Sequence, residues 1–482
     1  MRYAVLASML VMTLSGAEVG PASTAVVINA DSPASGAVAR MWMRLRGIPE
    51  AQAIELRGMP AGHHMPLADF RSQILEVVEA ALIERGLADQ ISLIAYAPDL
   101  PTAIDFTVAE GAQNWQSSPG SITGLTLLAP LLDQPSTVFT ALRANLYAER
   151  VRQPGHQLNA AAAADSRERE AYTALHAKDF IAARDLFTAI AKDHPAPSVY
   201  YNLACVQALS GALEAAEQAL DQAIAAGWMD LNHTEQDDDL TALRTRPAWA
   251  GLLARITAGE ARLEPDSSPP FRPLVLEGKR IPGRLAMVLT NLGPRGLTSA
   301  EAEAQLTATV AADGTAPAGT IWFMASGDRD RTGPRRWAFT AAAAAVRDKG
   351  VSAEVRAGTL PPRDEPVAGA VIGCADFNWA ASGARMLPGA WCDHLTSSGG
   401  ALQAGADQTP LSAFLRAGAA GAGGAVSEPF NLAQKFPSAF VHLHRLRGLS
   451  LVEAVHRTLP CPYQYLVVGD PLSRPWPARV QP

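Results

Sequence analysis

Near the start of the chain, short apolar runs alternate with segments of helical spacing. That alternation constrains the fold more than any other feature. "TAVVIN" (Thr24–Asn29), "AIEL" (Ala53–Leu56) and "ISLIAYA" (Ile91–Ala97) have the length and character of strands. After the first run, Ser32 is placed to cap a helix and Pro33 suits its first turn. Ala37, Val38, Met41, Trp42 and Leu45 fall on one face of that helix, and Gly47 ends it. A second amphipathic helix is expected over Asp69–Glu84. A β-α-β-α-β order needs crossover connections, so the expected class is α/β, with mostly parallel sheets covered by helices. Ligand sites in such sheets lie beyond the carboxyl ends of strands. Asn29-Ala30-Asp31 and Pro98-Asp99 stand there, and turn or capping chemistry is the simpler expectation for both aspartates.

The same pattern resumes late in the chain. Leu285–Leu292, Thr320–Ser326, Ala368–Gly373 and Tyr465–Asp470 read as buried strands. Ser299–Ala312, Arg336–Lys349 and Pro410–Arg416 read as helices, and Ser450 with Glu453 has capping-box spacing. The middle is different. From residue 165 to 260 the chain is Ala-rich, with helical periodicity and few β-branched residues. "DFIAARDLFTAI" and "ALEAAEQALDQAI" align at an offset of 33, matching Ala182 with Ala215 and Ala183 with Ala216. This period and the small residues at fixed places resemble tetratricopeptide repeats, an all-α insertion that implies a protein partner. Residues 261–280 include "LEPDSSPPFRP", with four prolines, and read as a linker.

With 482 residues, the chain is long enough for two or three domains. The expected divisions are a signal peptide (1–17), an N-terminal α/β segment (24–150), the helical repeat (165–260), the linker and a C-terminal α/β segment (281–482). Arg2, the apolar run Ala4–Leu14 and the small residues Ser15-Gly16-Ala17 form the signal-peptide pattern, which implies a secreted or periplasmic protein. No stretch of the mature chain is apolar enough to span a bilayer. The net charge of −7 gives no reason to expect nucleic acid. Four cysteines without CxxC or Cys/His spacing argue against a disulfide scaffold or metal site, and no cofactor is expected.

"VVINADSPASGAVARMWMRLRGIP", "LPGAWCDHLTSSGG", "LRAGAAGAGGAVSEPFNLAQKFP", "RGLSLVEAV" and "PYQYLVVGDPLSRPW" resemble an uncharacterised family of secreted bacterial proteins associated with exosortase, the enzyme that sorts exported proteins. The resemblance implies export and a link to envelope or polysaccharide-related sorting, and it implies no activity. The C-terminal half also resembles gingipain- and caspase-like peptidases. In those enzymes a His-Gly follows one strand and a nucleophilic Cys follows the next. Here the matching positions hold Cys374-Ala375 and Thr396-Ser397-Ser398, so the dyad is substituted.

Three readings of "WCDHLTSSGG" follow. In the catalytic one, His394 is the base, Cys374 or Ser397 the nucleophile, and Asp393 or Asp376 orients the imidazole. On a strand, however, Asp393 and His394 point to opposite faces. In the binding reading, Asp376, Asn378, Trp379, His394, Ser397 and Glu428 hold a glycan or peptide end, with Trp379 as a stacking face. In the structural reading, Cys374 and Cys392 are buried or paired, the serines bond the turn, Gly399-Gly400 supply positive φ, and His394 is satisfied in the core. His63, His64, His442 and His444 have no metal-site context and are expected on the surface or on helix faces. The expected function is a non-catalytic accessory or binding protein. The alternatives are a diverged hydrolase and an adaptor acting through its repeat.

Overall fold

The computed structural model describes residues 19–149, 166–260, 263, 265, 274–276, 279–281 and 284–477. The signal-peptide reading of residues 1–17 lies outside them, as does much of the expected linker. In the described part of that linker, the strand Leu274–Leu276 pairs antiparallel with Lys279–Ile281.

Ten strands form one sheet. In chain order they are β1 (Thr24–Asn29), β2 (Ala53–Leu56), β3 (Leu93–Tyr96), β4 (Leu285–Val288) and β5 (Thr320–Ala325). They continue with β6 (Ser352–Ala357), β7 (Pro366–Gly373), β8 (Arg385–Leu395), β9 (Gly421–Ala425) and β10 (Tyr465–Gly469). Across the sheet the order is β6-β5-β7-β8-β9-β10-β4-β3-β1-β2. Every neighbouring pair is parallel except β9 with β10. This antiparallel seam divides the sheet into two five-stranded parallel blocks that run in opposite directions.

The blocks share a topology. Numbered by chain order within each block, both read 2-1-3-4-5 from outer edge to seam. The first block takes its fifth strand, β10, from the end of the chain, after the second block is complete. The two α/β segments are therefore interlocked in one sheet. Helices cover both faces, so β1, β3, β4, β9 and β10 are buried along their whole length, as expected of parallel sheets.

Local chemistry sets the element ends. In α1 (Pro33–Arg46), Ser32 Oγ accepts the Ser35 N–H at 3.1 Å, and Gly47 stops the helix at φ 67°. Val38, Ala39, Trp42 and Met43 bury its inner face. Over Asp69–Glu84 the expected single helix carries a π-helical segment, Phe70–Leu75, which seats Phe70 and Ile74 in the core.

Residues 166–260 build a helical module with its own core: α2 (Ser166–His176), α3 (Phe180–Asp193), α4 (Pro197–Leu209), α5 (Leu213–Ala225), α6 (Leu231–Gln236) and α7 (Trp249–Glu260). Ala183 and Ala216 are fully buried, where their small size lets the helices approach closely. Phe187 is also fully buried, a burial that contributes about 1.5–3 kcal/mol. The module packs on the second block, α6 against α8 (Arg329–Arg336) and α7 against α9 (Phe339–Asp348).

Candidate functional site at the carboxyl edge of the second block

A 2-1-3-4-5 sheet opens a crevice where its strand order reverses, between its first and third strands. In the second block this lies between β5 and β7. Ser326 and Asp328 follow β5, Cys374 and Asp376 follow β7, Ser397 follows β8, and Glu428 follows β9. The topology therefore brings four of the sequence-derived site residues to one edge.

At the reversal, Ser326 Oγ donates to the Gly373 carbonyl at 2.7 Å. Asp328 caps α8 by accepting the Arg331 N–H at 3.1 Å, and it pairs with the Arg331 guanidinium at 2.9 Å. Cys374 lies beside them, 7% exposed. Burial, then Asp328 and Asp376, push its thiol up to about 12. At neutral pH it is a thiol, and a thiol is a poor nucleophile.

His394 does not complete a catalytic set. It is fully buried against Phe377 and Phe414, at ring distances of 5.2 and 5.6 Å. Nε2 bonds the Thr409 carbonyl at 2.9 Å, and Nδ1 has no hydrogen-bond partner. Neither nitrogen engages Cys374 or Ser397, and burial lowers the imidazole pKa to about 3. Asp393 points the other way, as strand alternation requires. Its carboxylate accepts from Arg335 Nη1 at 2.9 and 2.7 Å and from the Tyr465 hydroxyl at 2.7 Å. Burial nevertheless raises the Asp393 pKa.

The turn beyond β8 is covered by its own loop. Gln408, held at φ 63°, accepts the Thr396 hydroxyl at 2.5 Å and the Ser398 N–H at 3.0 Å through Oε1. Arg295 reaches across from the first block, donating to the carbonyls of Ala401 (3.1 Å), Ala406 (2.6 Å) and Gln408 (2.9 Å). Ser397 is half-buried. The two glycines are required by close approach and not by positive φ: a Cβ on Gly400 would lie 2.3 Å from the Gly424 carbonyl oxygen.

The remaining expectations divide. Asn378 caps Trp379–Ser382 by accepting the Ala381 N–H at 3.1 Å. Trp379 is 7% exposed and donates Nε1–H to the Ala384 carbonyl, so it is a core residue without a free stacking face. Glu428 is exposed and accepts the Phe430 N–H at 2.8 Å. All four cysteines are buried and free, so Cys374 and Cys392 are not paired. Of the surface and helix-face alternatives, His442 and His444 take the second: they lie on the helix Val441–Leu446, which α/β packing encloses, so both are buried, and His444 Nε2 meets Glu149 Oε2 at 2.6 Å. Asp470 accepts the Leu472 N–H at 3.1 Å, as its turn position suggests, and also pairs with Arg46.

Arg335, Tyr465, Gln408 and Arg295 were not legible as site residues, because their partners lie far away in sequence or in a loop without a motif. Another such group is Cys205, Asp237 and Asp239, whose ligand-type atoms lie within 4.8 Å of one another. Asp237 Oδ2 there accepts the Tyr201 hydroxyl at 2.7 Å and the Cys205 thiol at 3.5 Å, so these groups satisfy one another by hydrogen bonding.

Comparison with known proteins gives no matching family model, no matching curated protein and no matching solved structure. Among the described residues, no helix is long and apolar enough to cross a membrane.

Proposed function

We propose that the protein is an exported, non-catalytic accessory of an exosortase-type sorting or envelope system, which holds a peptide or glycan ligand and meets a protein partner through its tetratricopeptide-like module. The observation that carries the non-catalytic part is the separation of the acid–base groups. His394 is committed to Thr409, and Asp393 to Arg335 and Tyr465. Cys374 has no base within its hydrogen-bond network and a thiol pKa far above neutral. Acyl transfer by cysteine needs a thiolate and a positioned proton acceptor, and these residues supply neither.

The test is labelling of the exported protein with a cysteine-peptidase probe, beside Cys374→Ala and His394→Ala. Slow labelling, unchanged in His394→Ala, supports the reading. Fast labelling at Cys374 that disappears in His394→Ala overturns it in favour of a diverged hydrolase. Mass spectrometry of the same material checks export: loss of Met1–Ala17 is expected, and an intact N-terminus contradicts it.

A further inference from the structure

A small cavity of about 40 Å³ lies where distant parts of the chain meet. Glu149 comes from the end of the N-terminal segment, and Trp337 from the joint between α8 and α9. Gln434 and Ser438 come from the loop beyond β9, and Thr458 and Pro460 from the approach to β10. Arg143, which is exposed, stands on the solvent side of the lining. A site for one water needs about 10–15 Å³, so the cavity has room for roughly three groups of that size.

Three of the lining residues carry a buried polar atom with no hydrogen-bond partner among the described residues: Glu149 Oε1, Trp337 Nε1 and Ser438 Oγ. Glu149 is 8% exposed, and its Oε2 meets His444 Nε2 at 2.6 Å, so one carboxylate oxygen is held and the other is left over. Buried polar atoms without a partner are uncommon, and three around one cavity call for an occupant. That occupant must accept from the indole N–H and donate to the carboxylate. A cation fails the first demand and an anion the second. A hydroxyl meets both, and its second lone pair is free to take the Ser438 hydroxyl proton. The main chain around the cavity is already engaged. The carbonyls of Gln434, Thr458 and Pro460 accept the N–H groups of Cys461 (2.8 Å), Ser438 (2.9 Å) and Asn145 (3.0 Å).

We propose that this cavity binds a glycan by the exocyclic hydroxymethyl group of one sugar, whose hydroxyl donates to Glu149 Oε1 and accepts from Trp337 Nε1–H and Ser438 Oγ–H. A pyranose ring is too large for the space, so it stays on the solvent side, beside Arg143. The proposal deepens the binding-protein reading above and rests on it. A serine side chain carries the same hydroxymethyl group, but its main chain would meet carbonyls that are already engaged, and on that ground the sugar is the better occupant.

The experiment is saturation-transfer NMR titration of the full chain with the methyl glycosides of glucose, galactose and mannose, each beside its 6-deoxy analogue. At least one glycoside is expected to bind, with its C6 protons receiving the most saturation. Its 6-deoxy analogue should bind at least about tenfold more weakly, a comparison that needs no variant. Trp337→Phe and Ser438→Ala each remove one polar atom, and each should weaken binding roughly fivefold with unchanged melting. Three glycosides that do not bind, 6-deoxy analogues that bind as well as their parents, or two folded variants that bind like the parent overturn the proposal and leave a cavity that holds water alone. A blocked tripeptide, acetyl-Gly-Ser-Gly-amide, that binds more tightly than every glycoside and weakens in the same variants overturns the sugar assignment. An assay for released methanol separates the two readings. A cleaved glycoside contradicts the non-catalytic function and leaves the cavity standing; an intact, unbound glycoside contradicts the cavity alone.

Discussion

The two blocks repeat one topology and much of one turn chemistry, yet their carboxyl edges end differently. Beyond the third strand, the first block has Ala97-Pro98-Asp99 and the second has Cys374-Ala375-Asp376. In the first, Asn29 Nδ2 donates to the Asp99 carbonyl at 2.6 Å, Ser32 Oγ donates to Asp99 Oδ2 at 2.5 Å, and Asp31 Oδ2 accepts the Gly58 N–H at 2.6 Å. These bonds tie the turns at that reversal together. In the second, the corresponding Asp376 accepts, among the described residues, only a long bond from Thr409 Oγ1 at 3.4 Å, and a thiol replaces the methyl of Ala97. The helical module packs on α8 and α9 of the second block, which gives that block a polar cleft beside its edge. The shared topology is a scaffold; what differs between the blocks is what has been grafted onto it.

The largest expected effect tests how far the blocks are alike. Each anchors a buried aspartate with one arginine, Asp470 with Arg46 in the first and Asp393 with Arg335 in the second. Removing the arginine leaves an uncompensated buried charge, so Arg335→Ala and Arg46→Ala should each cost roughly 3–5 kcal/mol in denaturant unfolding. A variant that unfolds like the parent would show that its block does not depend on the pair. Replacing Arg335 and Asp393 together by apolar residues should recover much of the loss.

The second test concerns the contact of the helical module with the second block, where Glu260 also bonds the Thr340 side chain. Glu260, at the end of α7, is 2% exposed and accepts the Leu231 N–H at 2.9 Å. Burial raises its carboxyl pKa to about 7 from 4.5. The folded state therefore holds a proton that the unfolded state has released between these values. Stability should fall as pH rises from about 4.5 to about 7 and level off above, by roughly 3 kcal/mol for this group. Glu260→Gln should flatten that part of the profile. An unchanged profile would place the titration elsewhere.

A smaller loss is expected inside the module. Ala183→Trp or Ala216→Trp should overpack a helix interface, at roughly 1–3 kcal/mol. Two variants that melt like the parent would refute the close packing that the 33-residue offset suggested.

Legibility followed locality. Strands of four to eight apolar residues and caps such as Ser32, Gly47 and the Ser450–Glu453 box are set by neighbours in sequence, and the structure has them. The strand "GAGGA" (Gly421–Ala425) carries no such signal, because glycine weakens a strand in isolation. It exists because close neighbours need the space: a Cβ on Gly423 would fall 2.4 Å from the Tyr465 ring. The helix Arg329–Arg336, with Pro334 inside it, was likewise hidden. At the site, the edge positions of Cys374, Asp376 and Ser397 were readable from strand ends. A core His394 was one of the readings open to the sequence, and it is the one the structure has; the loop stapled by Gln408 was not legible, since it depends on Arg295 arriving from elsewhere.

The smallest effect isolates the one functional group that the first block lacks. Burial is the leading cause of the raised Cys374 thiol pKa, with Asp328 and Asp376 adding to it and Arg331 opposing it. Asp328→Asn removes one carboxylate and keeps the helix cap, because asparagine caps as well as aspartate. The lost pair with Arg331 is partly exposed, so stability should change by less than about 1 kcal/mol. The pH midpoint for reaction of Cys374 with a small thiol reagent should move down, and further in Asp328→Asn with Asp376→Asn. It should stay well above neutral, because the desolvation of the sulfur is untouched. A parent midpoint near 7 would mean that an activated thiolate exists and that the edges of the two blocks differ in chemistry as well as in shape. A midpoint that ignores both carboxylates would mean that the thiol faces neither, and the second block's edge would then be as inert as the first.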